Sequence, residues 1–149
     1  MKRLLIPFLA LMIGLPVMAE NIDISVKDLP GRSQKIIAMA FPDTNVKKAT
    51  IEKRASLIQY EVRLSGGIKL QFSKTGALTE CTCTKSAVPA VLVPEKISEM
   101  VSRDYHGNLI LSIEHDSKLY EIVLDNGVEL SFNSSLRLIS VDYPEKNGQ

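Results

Sequence analysis

Tyr60-Glu61-Val62-Arg63-Leu64-Ser65-Gly66-Gly67-Ile68-Lys69-Leu70-Gln71-Phe72 has a counterpart sixty residues on, Tyr120-Glu121-Ile122-Val123-Leu124-Asp125-Asn126-Gly127-Val128-Glu129-Leu130-Ser131-Phe132. In both copies apolar and polar residues alternate with a period of two, which gives a strand one buried and one wet face. A glycine-bearing turn separates the two runs in each copy. Asn-Gly between alternating runs signals a two-residue hairpin whose turn residues both take positive φ.

Outward from this pair the repeat continues. Leu78 matches Leu138 in the same frame, while Leu29-Pro30 and Phe41 match Val93-Pro94 and Tyr105 at an offset of 64. The change of offset marks a shortened loop, and the duplication divides the chain into a unit at 27–85 and a unit at 86–149. Each unit opens with a helix, Pro30 or Pro94 suiting its first position. Ile97, Met100, Val101 and Tyr105 form one apolar stripe, as do Ile36, Ile37, Ala40 and Phe41; Pro42 and Gly107 stop the helices. Strands follow. Ala49 with Ile51, and Leu111 with Ile113, mark the first in each unit, and Ala77–Cys83 and Arg137–Tyr143 the last. Ile22, Ile24 and Val26 suggest an added N-terminal strand, and Ala87–Val93 a connector packed between the units. The fold class is α+β, two tandem units of a helix plus a four-stranded antiparallel sheet, with Tyr60, Phe72, Tyr120 and Phe132 buried.

Composition sets limits. The chain has 149 residues, 45% hydrophobic and 23% charged, so it can bury a core. A net charge of +1 gives no electrostatic case for nucleic acid. Lys2 and Arg3 precede an uncharged apolar run, Leu4–Met18, and Val17-Met18-Ala19 fits a peptidase site. Residues 1–19 therefore read as a signal peptide cleaved after Ala19. The alternative, an uncleaved anchor, is disfavoured because the run is short of the roughly 20 residues a span needs. No membrane insertion is expected after cleavage, and the location is periplasmic or secreted.

Leu29-Pro30, Phe41-Pro42, Tyr60-Glu61-Val62-Arg63-Leu64, Gly67, Leu70-Gln71-Phe72 and Gly76 together resemble the PepSY-like, β-lactamase-inhibitor-like family of secreted bacterial proteins. The resemblance covers nearly all of the chain after residue 19; the second unit departs at His106, where the pattern has the proline of Phe41-Pro42. It implies tandem helix-plus-sheet units, a periplasmic or secreted location and an inhibitory or binding role.

Catalytic chemistry has little to work with. His106 and His115 are the only histidines and read as exposed loop residues. No nucleophile–base constellation or phosphate loop is present, and Glu61 and Glu121 read as two copies of one wet-face position. The chain reads as a non-enzyme with no cofactor. Cys81-Thr82-Cys83 places two thiols on one strand face about 6.6 Å apart at Cα, near the limit for a disulfide. A strained bond, a soft-metal site, a bridge between chains and a semi-buried strand residue equivalent to Val141 all remain open. Replacement of both by Ser should be harmless if they are not fully buried. The charges divide unevenly: Lys27–Lys85 holds 11 basic and 5 acidic residues, Ser86–Gln149 holds 5 and 10. Either the halves complement each other or a polarised surface steers a partner. The reading is a binding protein whose free sheet face takes a protein or peptide, with a protease or other secreted hydrolase as the partner class. Candidate contacts are Glu61, Arg63, Lys69, Gln71, Glu121, Val123, Glu129 and Ser131. The alternative is a small-ligand or soft-metal handler using Cys81 and Cys83.

Overall fold

The computed structural model describes residues 19–146, so all but the last residue of the assigned signal peptide lies outside the described residues. The elements run β1 (Glu20–Asp23), α1 (Gly31–Ala40), β2 (Val46–Arg54), β3 (Leu57–Leu64), β4 (Ile68–Ser73), β5 (Leu78–Cys83), α2 (Glu95–Asp104), β6 (Ile110–His115), β7 (Leu119–Leu124), β8 (Glu129–Asn133) and β9 (Leu138–Asp142). The α+β class holds. In place of two four-stranded sheets there is one antiparallel sheet of nine strands, neighbours in sequence order. The join is β5 against β6, where Glu80 faces Glu114, Cys81 faces Ile113 and Thr82 faces Ser112. A separate first sheet would end at β5 with a row of unpaired backbone groups; pairing with β6 satisfies them.

Proline ends the chain's extended approach to each helix. Pro30 and Pro94 stand one position before the first helical residue, their carbonyls accepting from Gln34 N–H and Ser98 N–H. The stripes pack as their spacing requires: Ile37, Phe41, Ile97 and Val101 are buried, and Ile36, Ala40, Met100 and Tyr105 half-buried. Both helices lie on the sheet face that carries Val62, Leu70, Phe72, Ile122, Leu130 and Phe132, and all join one buried cluster. Tyr60 and Tyr120 share that face but are only half-buried. The N-terminal strand stops at Asp23, and Val26 belongs to a 3-10 turn, Val26–Asp28, capped by Ser25.

Bulges recur in both halves. Lys47 and Leu111 are skipped between paired neighbours in β2 and β6, and Thr79 and Ile139 in β5 and β9. Leu111 is thus the bulged residue, and the counterpart of Ala49 is Ile113: Ala49 pairs with Val62, Ile113 with Ile122. The offset drops from 64 to 60 because the β6–β7 hairpin is shorter than the β2–β3 hairpin. Asp116 closes the shorter one, its carboxylate accepting from Lys118 N–H at 2.6 Å and Leu119 N–H at 2.8 Å.

The glycine turns hold three residues, not two. Gly127 N–H donates to Leu124 O and Leu124 N–H to Val128 O, both at 2.9 Å, enclosing Asp125-Asn126-Gly127. In the first turn Gly66 and Gly67 both take a left-handed φ, +84° and +75°; in the second only Gly127 does, at +84°, while Asn126 stays outside that region and instead accepts from Val128 N–H. A turn followed by one left-handed residue needs only one glycine.

Candidate functional site

Among the described residues, no element covers the sheet face away from the helices. Register places its side chains in rows across the strands. One row runs Lys48, Arg63, Lys69, Thr82, Ser112, Val123, Glu129, Asp142 from β2 to β9. The adjacent row runs Thr50, Glu61, Gln71, Glu80, Glu114, Glu121, Ser131, Ser140. All eight residues singled out in the sequence fall in these two rows, four in each. Lys48, Thr50, Glu80, Thr82, Ser112, Glu114, Ser140 and Asp142 complete the rows, and the sequence did not single them out. Each enters its row through pairing within its own half, but the rows run on from one half to the other only through β5 against β6, which no repeat within either half encodes.

The first row is polarised. Its β2–β4 end carries three cations, its centre is neutral and its β8–β9 end carries two carboxylates. Strands about 4.8 Å apart put roughly 19 Å between Lys69 and Glu129. Glu61 and Glu121 are likewise four strands apart, too far for a shared acid–base role. At the centre Thr82 and Ser112 hydroxyls hydrogen-bond across the join at 3.1 Å. Lys69 Nζ pairs with Glu80 Oε1 at 2.8 Å and Arg63 Nε with Glu61 Oε1 at 2.8 Å.

The second row gathers Glu80, Glu114 and Glu121 on three neighbouring strands. Like charges directly opposite each other disfavour the ionised forms. The Glu114 carboxyl is held above the usual carboxylate range, first by burial, then by Glu121, Glu80 and Asp116, with Lys69 opposing. A depression of about 170 Å³ opens between Ser112, Glu114, Glu121, Val123, Glu129 and Ser131. A second, of about 380 Å³, lies between Asn21, Lys48, Thr50, Glu52, Glu61 and Arg63. No aromatic side chain stands in either row.

Cys81 and Cys83 lie on the opposite, helix-covered face of β5. Both are buried free thiols with sulfurs 3.9 Å apart. The hydrogen bond to Cys83, with burial, pushes the Cys81 thiol up. Accepting that hydrogen bond pulls Cys83 down to about 7, against burial and with help from Ser86. Cys81 pairs with Leu70 as Val141 pairs with Leu130. Among the described residues no group of three or more His, Cys, Asp or Glu could hold a metal ion. His106 is exposed after α2. His115 is not a loop residue: it ends β6, half-buried, its ring stacked on Tyr120 at 3.9 Å, because β6 extends one residue past Glu114. Among the described residues no helix is long and apolar enough to cross a membrane.

Comparison with known proteins adds a family. The family model described as "Putative beta-lactamase-inhibitor-like, PepSY-like" matches residues 16–80 and again residues 58–140. Three solved structures are similar. One, from Bacteroides vulgatus ATCC 8482 and described as a "putative periplasmic protein", is 36% identical, covers 83% of this chain and 97% of its own, and has a TM-score of 0.80. A "putative calcium-regulated periplasmic protein" from Bacteroides thetaiotaomicron is 34% identical over 82% of this chain and 96% of its own, TM-score 0.80. A third, also from Bacteroides vulgatus ATCC 8482 and described as of unknown function, is 30% identical over 83% and 99%, TM-score 0.78. No curated protein matches the chain.

Proposed function

Because the chain belongs to the PepSY-like, β-lactamase-inhibitor-like family, we propose that it is a non-catalytic periplasmic protein that binds a protein partner on the free sheet face. The observation that carries this reading is the polarised row from Lys48 to Asp142, spread over eight strands and left uncovered by both helices. Such a face selects a partner of reversed polarity and speeds its encounter. The family's inhibitor-like description and the periplasmic descriptions of three solved relatives support location and class. The partner class is a secreted hydrolase, held by the two charged ends with the neutral centre between them. Without Trp, and with its aromatics outside the rows, the face lacks the anchors that dominate tight interfaces. Binding by this face is therefore governed by charge and strongly dependent on salt.

Affinity capture from a periplasmic extract, with mass spectrometry and a hydrolase assay of the captured fraction, tests the reading. The expected result is one partner retained at low salt and released as salt rises, with its activity reduced in the complex. A partner retained equally by the variant Arg63→Glu/Lys69→Glu/Glu121→Lys/Glu129→Lys would overturn the assignment of the face.

A further inference from the structure

We propose that a cavity on the helix side, where the two halves meet, binds a medium-chain fatty acid or a like amphiphile bearing one carboxylate. The cavity measures about 250 Å³ and lies between α1, the 3-10 turn Ala90–Leu92 and strands β5 to β7. Ile36, Leu78 and Ile113 supply the apolar part of its lining, and Arg32, Thr79 and His115 a polar part. Met39 and Val91, which border the cavity, are 57% and 56% exposed and give it an apolar rim. Space, apolar lining and uncovered apolar rims together fit an alkyl chain. The volume is just below the range of drug-sized ligand pockets, which suits a short chain.

Charge decides the head group. Arg32 lines the cavity from α1 and has no ion-pair partner among the described residues. His115 adds an imidazole, positioned by its stack on Tyr120. Glu80 also borders the cavity, but its carboxylate is taken by Lys69 at 2.8 Å on the free face. A carboxylate head beside Arg32 gains a charge-assisted, bidentate partner; a cationic head would gain none. This site is on the side of the sheet opposite the polarised rows, so it stands or falls independently of the partner-binding reading.

Titration calorimetry with hexanoate, octanoate and decanoate below their micelle concentrations, joined to NMR shift mapping, tests the proposal. The expected result is one saturable site, with shifts at His115 and Tyr120. Affinity should rise about fourfold per added methylene, the equivalent of 0.8 kcal/mol each, until the chain outgrows the cavity. Decan-1-ol should bind at least tenfold more weakly than decanoate. Arg32→Gln should lose decanoate by at least tenfold with unchanged melting, and Val91→Asp, which puts a like charge on the apolar rim, should also weaken it. Absence of saturation, equal binding of decanol and decanoate, or shifts confined to the free sheet face would each overturn it.

Discussion

At Gly76 and Leu136 the duplicated chain solves one turn in two ways. Both residues close three-residue hairpins, with φ of +81° and +61°. A Cβ on Gly76 would meet Pro30 Cβ at 2.7 Å and Ser33 Oγ at 2.9 Å, and the buried Ser33 hydroxyl donates to Gly76 O at 3.2 Å. At the counterpart of Ser33 stands Ile97, and Leu136 packs against the cluster that holds it. Gly76→Ala should therefore cost about 1–3 kcal/mol through strain and collision. Leu136→Gly should cost less, because relief of the left-handed strain offsets lost burial; urea denaturation of both variants checks the order. The cysteines follow the same logic of place. Because Cys81 and Cys83 are buried, Ser at Cys81 puts a hydroxyl in an apolar site and should cost about 1–3 kcal/mol. Cys81→Val, the residue found at the equivalent position 141, should cost less. Glu114 sets a pH dependence. Its carboxyl is raised on folding, so it opposes folding above that raised value, and the opposition fades as pH falls through it. Glu114→Gln should melt higher than wild type at pH 7, with the gap closing in the acid range. Asp116 and Asp125 have the opposite sign: their carboxyls are lowered by hydrogen bonds, and the stability they add is lost as pH falls through the lowered values. A melting gap that stays constant from pH 7 to pH 4 would refute the assignment to Glu114.

At the scale of elements, the buried phase of the strands was legible because one face alternates strictly: Val62, Leu64, Leu70 and Phe72 are all buried. Phe72→Ala and Phe132→Ala, equivalent core truncations, should each cost about 3–5 kcal/mol, and a loss below about 1 kcal/mol for either would contradict its burial. Helix ends were legible from Pro30, Pro42, Pro94 and Gly107. Three features were not. The Asn126-Gly127 dipeptide fits a two-residue turn and a three-residue turn equally, and only the backbone bonds from Leu124 separate them. The bulges at Leu111 and Ile139 shift the inward phase by one residue without any mark in the apolar pattern. The β5–β6 join is a contact between halves, and a repeat reports only what each half holds in common. That join also makes a prediction. A fragment ending before residue 86 would expose the β5 edge, so it should associate with itself more strongly than the whole chain, as sedimentation of both would show.

Over the whole molecule, a single sheet turns two uneven halves into one polarised surface. The excess of basic residues before Ser86 and of acidic residues after it was visible in the sequence. Its meaning needed the register, which lines up Lys48, Arg63 and Lys69 at one end of a row and Glu129 and Asp142 at the other. The cavity beside Arg32 and His115 was not legible, because its walls come from five separate elements. The most direct test of the central claim, that the free sheet face is where a partner docks, is site-specific photo-crosslinking in the periplasm. A photoreactive residue at Gln71 or Ser131, both in the second row, should yield a discrete adduct with one partner. The same residue at Ala38 or Glu99, exposed on the two helices, should yield none. Adducts from the helix positions with none from Gln71 or Ser131 would contradict the account.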